Sequence, residues 1–198
     1  MSKDILLRKV FSKMGEINKD FRFQIFRPRK NKYIKIPKGT KWDCGCECYY
    51  FDTEKGGLKL YKARKEAKNA LRRQKIANKK GLAPDLLSDD IIIINLKEDL
   101  SGNFYDNKQY KELFFKRRTG KRLYGYYTEK VQIYLSIKYY ERPRIDIEKL
   151  RHSLSKLYGR NQFRDLRPCN IGVKNGNPIA TDFGECSFEK KVAGYEEQ

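Results

Sequence analysis

The chain has 198 residues with 45 Lys or Arg against 25 Asp or Glu, a formal charge of +20 that favours nucleic acid, nucleotide or an acidic surface as partner, or else serves only solubility. That length allows one domain or two small lobes, and 14 Tyr and 11 Phe can build a core despite 35% charged residues. Residues 1–10 lack a signal-peptide pattern, no apolar run nears the ~18 residues that span a bilayer, and five cysteines is an odd number, so a cytoplasmic protein with reduced thiols and no membrane is expected.

Leu7, Val10, Phe11 and Met14 fall at i, i+3, i+4 and i+7, which predicts a helix ended by Gly15 in an N-terminal extension of residues 1–20. Phe21 to Phe26 alternates as a strand and closes at Arg27-Pro28-Arg29-Lys30. Tyr33–Ile36 and Glu47–Phe51 are predicted as two more strands, with a loop from Gly39 to Gly45 between them. Cys44, Cys46 and Cys48 would share one strand face. With the only His at 152, small buried side chains are expected there rather than a zinc site.

Gly56-Gly57 turns into a strand whose period of two sets Leu58 and Leu60 on one face, Gly57 and Lys59 on the other. Residues 63–80 are strong helix formers, stopped by Gly81 and Pro84. The stretch 62–80 carries nine basic residues and one acid, Glu66, which makes this helix a candidate nucleic-acid contact. Ile91–Leu96 is predicted as a buried strand, and the basic segment 101–121 as an insertion. Leu123–Val131 is predicted as a strand running into a linker, with Gln132–Tyr139 the alternative place for that strand. Asp146 to Gly159 carries the clearest helix signals: an Asp146 N-cap, an Ile145–Leu150 staple, a Gly159 stop, and Ile147, Leu150, Leu154 and Leu157 on one face. His152 lies off that face and is expected in solvent.

The next stretch reads Arg164-Asp165-Leu166-Arg167-Pro168-Cys169-Asn170, followed by Asp182-Phe183-Gly184. Asp165 precedes Asn170 by five residues, and Asp182 follows twelve residues later. Three oxygen-bearing side chains so spaced suit phosphoryl transfer, one orienting a hydroxyl and two holding magnesium. The stretch resembles the catalytic and metal-binding loops of the protein-kinase-like family, H-R-D-L-x-x-x-N and D-F-G. The resemblance covers about residues 33–185 and suggests a minimal, C-terminally truncated kinase fold of phage or virus type. It implies an α+β fold: an antiparallel-sheet N-lobe (21–131, with the insertion) bearing one basic helix, and a reduced, mostly helical C-lobe (132–198).

By the same resemblance, Asp165 accepts the acceptor's proton, Asn170 and Asp182 hold Mg²⁺, and Arg167 steadies the γ-phosphate of ATP. Lys59 contacts the α- and β-phosphates, and Glu66 fixes its head group. Gly45 belongs to the phosphate loop, Gly57 lies beneath the adenine, and Glu129 to Val131 meets the adenine edge. The pattern departs from the family at Thr40 and Trp42, where the loop would have glycine, and at Phe163, where histidine is usual. Only 14 residues follow Gly184, without an A-P-E motif. The activity implied is Mg-ATP-dependent phosphotransfer to a hydroxyl of a protein substrate or of the chain itself. Two alternatives stay open: a pseudokinase acting through a protein partner, and a basic nucleic-acid-binding protein.

Overall fold

The computed structural model describes residues 15–18, 20–26, 32–44, 48–96, 122–134, 137, 146–159, 166 and 170–184. The fold is α+β, and the chain divides into two compact units. A sheet unit takes residues 13–68 and 87–128, and a hairpin unit takes 1–12, 69–86 and 129–198. The expected N-terminal helix, the insertion 101–121, Gly45 and the Asp165–Arg167 pair lie outside the described residues.

In the sheet unit eight strands form one large curled antiparallel sheet. They are β1 (Gly15–Glu16), β2 (Phe21–Ile25), β3 (Lys32–Ile36), β4 (Lys41–Cys44), β5 (Cys48–Thr53), β6 (Gly56–Tyr61), β7 (Ile92–Asn95) and β8 (Arg122–Thr128). Their order is β1-β4-β5-β6-β8-β7-β2-β3. Alternation sends Phe21, Phe23, Ile34, Ile36, Tyr49, Phe51, Leu58, Leu60, Ile94 and Leu123 to one face, where they form the core. Phe23 meets Phe21 and Phe51 edge-to-face, with centroids 5.2 and 5.6 Å away.

One close approach fixes the register beside Lys59. A Cβ on Gly125 of β8 would lie 2.0 Å from the Lys59 carbonyl oxygen, so any other residue there would push β6 aside.

The loop expected from Gly39 to Gly45 is largely a strand. The turn closes early, at Thr40 N to Pro37 O (3.1 Å), and Lys41–Cys44 pairs with β5 through Trp42↔Phe51. Trp42 packs against the core, so burial of its ring overrides the polar residues beside it. The hairpin that carries any phosphate loop is therefore β4–β5, and Tyr33–Ile36 is an edge strand paired to β2. Of the three cysteines, Cys48 is half-buried. The Cys44 side chain and Cys46 lie outside the described residues.

Helix α1 spans Arg64–Asn78 and buries Ala67, Ala70, Leu71, Gln74 and Ala77, the i, i+3, i+4, i+7, i+10 stripe. In the hairpin unit, helix α2 (Ile147–Tyr158) buries Leu150 and Leu154. It begins where Asp146 Oδ1 accepts from Lys149 N (2.8 Å) and ends where Gly159 N donates to Ser155 O (2.9 Å). Ile145, the expected staple residue, lies outside the described residues. His152 is exposed, as expected. Asp146→Ala is expected to cost about 1 kcal/mol, read as a lower urea midpoint at unchanged slope.

Strands β9 (Gln132–Ile133), β10 (Ile171–Lys174) and β11 (Asn177–Ala180) form a second sheet in the order β11-β10-β9. The described part of this unit is thus mixed rather than mostly helical. Asn175-Gly176 takes φ of 51° and 75°, the left-handed pair that a two-residue hairpin turn requires. Among the described residues of 132–139 the strand is β9 alone, and the strand leading to 129–131 is β8. No helix among the described residues is long and apolar enough to cross a membrane.

Candidate active site

The described site residues fall in both units. In the sheet unit, Lys59 sits at the centre of β6, opposite Tyr50 on β5 and Tyr126 on β8. It is only 6% exposed, and its Nζ lies 6.0 Å from the Tyr126 ring centroid. Tyr126 also stacks on Tyr61 at 6.1 Å. A lysine held this far inside a strand is costly in charged form unless anionic groups compensate it, which makes the position a poor one for an ordinary surface lysine.

Glu66 stands in the first turn of α1, half-buried. The ion pairs among the described residues do not include Lys59–Glu66. Two further residues, marked by no motif in the sequence, share the lysine's face: Tyr50, and Asp52 opposite Gly57. A Cβ on Gly57 would lie 2.5 Å from the Tyr50 ring, so the space above this glycine is already bounded by an aromatic. Burial pushes the Tyr50 phenol up to about 12, assisted by the Asp52 carboxylate. The alternation Tyr50/Asp52 along a strand facing Gly57 was the available signal.

In the hairpin unit, β10–β11 pairing runs from Lys174↔Asn177 back to Ile171↔Ala180. One step further, Thr181 N donates to Asn170 O at 2.9 Å, which sets Asn170 opposite Thr181, the residue before Asp182. Asp182 Oδ1 accepts from Gly184 N at 3.0 Å, and Phe183 between them is fully buried. The carboxylate is therefore fixed by a local turn and a buried anchor. Both Asn170 and Asp182 are half-buried.

No group of three or more His, Cys, Asp or Glu among the described residues is placed to hold a metal. Magnesium does not require one. It is held by one or two side-chain oxygens together with substrate phosphates, and the amide oxygen of Asn170 and carboxylate of Asp182 fit that donor type.

Glu129 is bonded through both its backbone and its side chain. Its N–H donates to Asp85 O (2.8 Å), while its Oε2 accepts from Asp85 N (3.0 Å) and Lys174 Nζ (2.6 Å). Lys174 also pairs with Asp85 Oδ2 at 2.8 Å. Asn78 Nδ2 donates to Asp85 Oδ1 at 2.8 Å, and Leu82 O accepts from Ala180 N at 2.9 Å. Val131 packs against Gly172, where a Cβ would come within 2.7 Å of its Cγ2. The segment 129–131 is thereby tied to the hairpin that carries Asn170 and Asp182. No local pattern marks Lys174 or Asp85, because the three charges are 45 and 44 residues apart across Glu129.

Hydrogen bonding to Lys174, and then to Asn78, holds the Asp85 carboxyl below its ordinary 3.8. Hydrogen bonding to Asp85 and Glu129 raises Lys174 above 10.5. A lowered acid stabilises the fold above its unfolded value and loses that contribution as pH falls. A raised base stabilises below its unfolded value and loses it as pH rises. Lys174→Met is therefore expected to cost about 1 kcal/mol between pH 5 and 9, with most of the difference gone near pH 3. Parallel urea melts of both proteins at the two pH values check this.

On α1, every exposed side chain except Ile76 is a cation: Arg64, Lys65, Lys68, Arg72 and Lys75. Compared with protein-family models, curated proteins and solved structures, the chain matches none.

Proposed function

We propose that the chain is a protein-kinase-like phosphotransferase that uses Mg-ATP. The observation that carries this reading is the β10–β11 hairpin, which sets Asn170 opposite Thr181, the residue before Asp182, while Gly184 N and buried Phe183 hold the Asp182 segment. Strand connectivity supports it: β4, β5 and β6 form a meander with Lys59 on its third strand, α1 follows, and β8 leads into 129–131.

In this reading Lys59 neutralises the α- and β-phosphates, and Glu66 is its partner once nucleotide is bound. Asn170 and Asp182 are the magnesium ligands, the ion serving to offset phosphate charge. Asp165 takes the proton of the attacking hydroxyl as the bond between the γ-phosphorus and the ADP oxygen breaks, and Arg167 steadies the transferring group. The constraint at Gly57 means that adenine there would be bounded by Tyr50 as well as by glycine.

Intact mass after incubation with Mg-ATP, alone and with a mixed Ser/Thr/Tyr peptide pool, tests the reading. A gain of about 80 Da per phosphoryl group on chain or peptide is expected. Nucleotide binding without any mass gain would replace it by the pseudokinase alternative.

A further inference from the structure

The face of the sheet opposite the core has a second region, away from the strand that carries Lys59. Cross-strand register lines up Tyr33, Gln24, Asn95 and Arg122 across β3, β2, β7 and β8, with Lys35 opposite Arg22 in the next row. None of these outer positions is acidic. Neither are Ile93 and Tyr124, which complete the face on β7 and β8.

Two large aromatics on it are in solvent, Phe26 at 43% exposure and Tyr33 at 39%. Each carries a guanidinium over its ring: Arg22 lies 4.5 Å from the Tyr33 centroid and Arg122 4.4 Å from that of Phe26. Between them Gln24 Oε1 is buried without a hydrogen-bond donor among the described residues. An exposed edge can be protected from aggregation by charge alone, and two exposed rings add apolar surface that such protection does not need.

We infer that this face binds single-stranded nucleic acid, with Phe26 and Tyr33 stacking on bases and Arg22, Lys35 and Arg122 holding phosphates. The chemistry selects that partner. An anionic lipid surface or an acidic protein would use the cations but not flat rings capped by guanidinium groups, whereas bases stack on both aromatic and guanidinium planes. A duplex keeps its bases paired and stacked internally. The inference is independent of the phosphotransfer reading, since none of these residues belongs to that site.

The test is fluorescence anisotropy of the full chain with a labelled mixed-sequence 20-nucleotide RNA, with the matching duplex and anionic vesicles as competitors. Tyr33→Ala and Phe26→Ala are each expected to weaken single-strand binding about tenfold. Both sites are exposed, and unchanged circular dichroism and melting temperature confirm folding. Arg22→Gln and Arg122→Gln test the charges separately: each should flatten the dependence of log Kd on log salt by about 0.7. Wild-type affinity in all four variants overturns the inference. So does stronger competition by duplex or vesicles than by unlabelled single strand, or a loss that follows Lys68→Glu and Arg72→Glu on α1 while the face variants bind normally.

Discussion

Asp182→Asn is expected to lower ATP-dependent phosphoryl transfer roughly 10³-fold, the scale of removing one fixed electrostatic contact to the transferring group. The substitution is informative because it separates charge from shape. Oδ1 of the replacement still accepts from Gly184 N, where the native distance is 3.0 Å, and Phe183 keeps its buried seat. The hairpin should therefore keep its stability within about 0.5 kcal/mol. What disappears is the negative charge that a divalent cation and triphosphate require. Initial rates of label transfer from γ-labelled ATP give the comparison. A variant within threefold of wild type would remove Asp182 from the chemistry.

The second large effect is on the fold. Phe51→Ala is expected to destabilise the chain by about 3–5 kcal/mol, a large share of the 5–15 kcal/mol typical of a domain. Phe51 is fully buried, stands edge-to-face to Phe21 and Phe23, and pairs with Trp42 and Leu58 on its two neighbouring strands. The cavity thus opens where several strands of the curled sheet converge, and rigid backbones on both sides restrict collapse. Urea denaturation followed by tyrosine fluorescence measures it. A cost under 1 kcal/mol would mean that this aromatic cluster does not hold the sheet.

Much of the fold was legible because its signals are local. Alternation located β2 and β6, and the Asp146 and Gly159 caps bracketed α2 to the residue. Lys41–Cys44 escaped because its strand character depends on Trp42 reaching the core through its partner Phe51, a contact invisible within four residues. The turn between Asn170 and Asp182 is legible in outline. Asn175-Gly176, a pair that readily takes positive φ, specifies the hairpin turn between them. The Lys174–Glu129–Asp85 cluster was not legible, since ion pairs between distant segments leave no pattern in sequence. Nor was the outer face of β3-β2-β7-β8, which exists only once register has brought Tyr33 into line with Arg122.

Phosphotransfer requires that the chain hold Mg-ATP, and a thermal melt with and without nucleotide measures that most directly. With magnesium and ATP at about 100 times Kd, binding adds roughly 2.7 kcal/mol, which for a chain of this size raises the midpoint by about 5–10 °C. The account predicts that rise in wild type, its loss on chelation with EDTA, and its loss in Lys59→Met. An unchanged midpoint in wild type at millimolar Mg-ATP would contradict it.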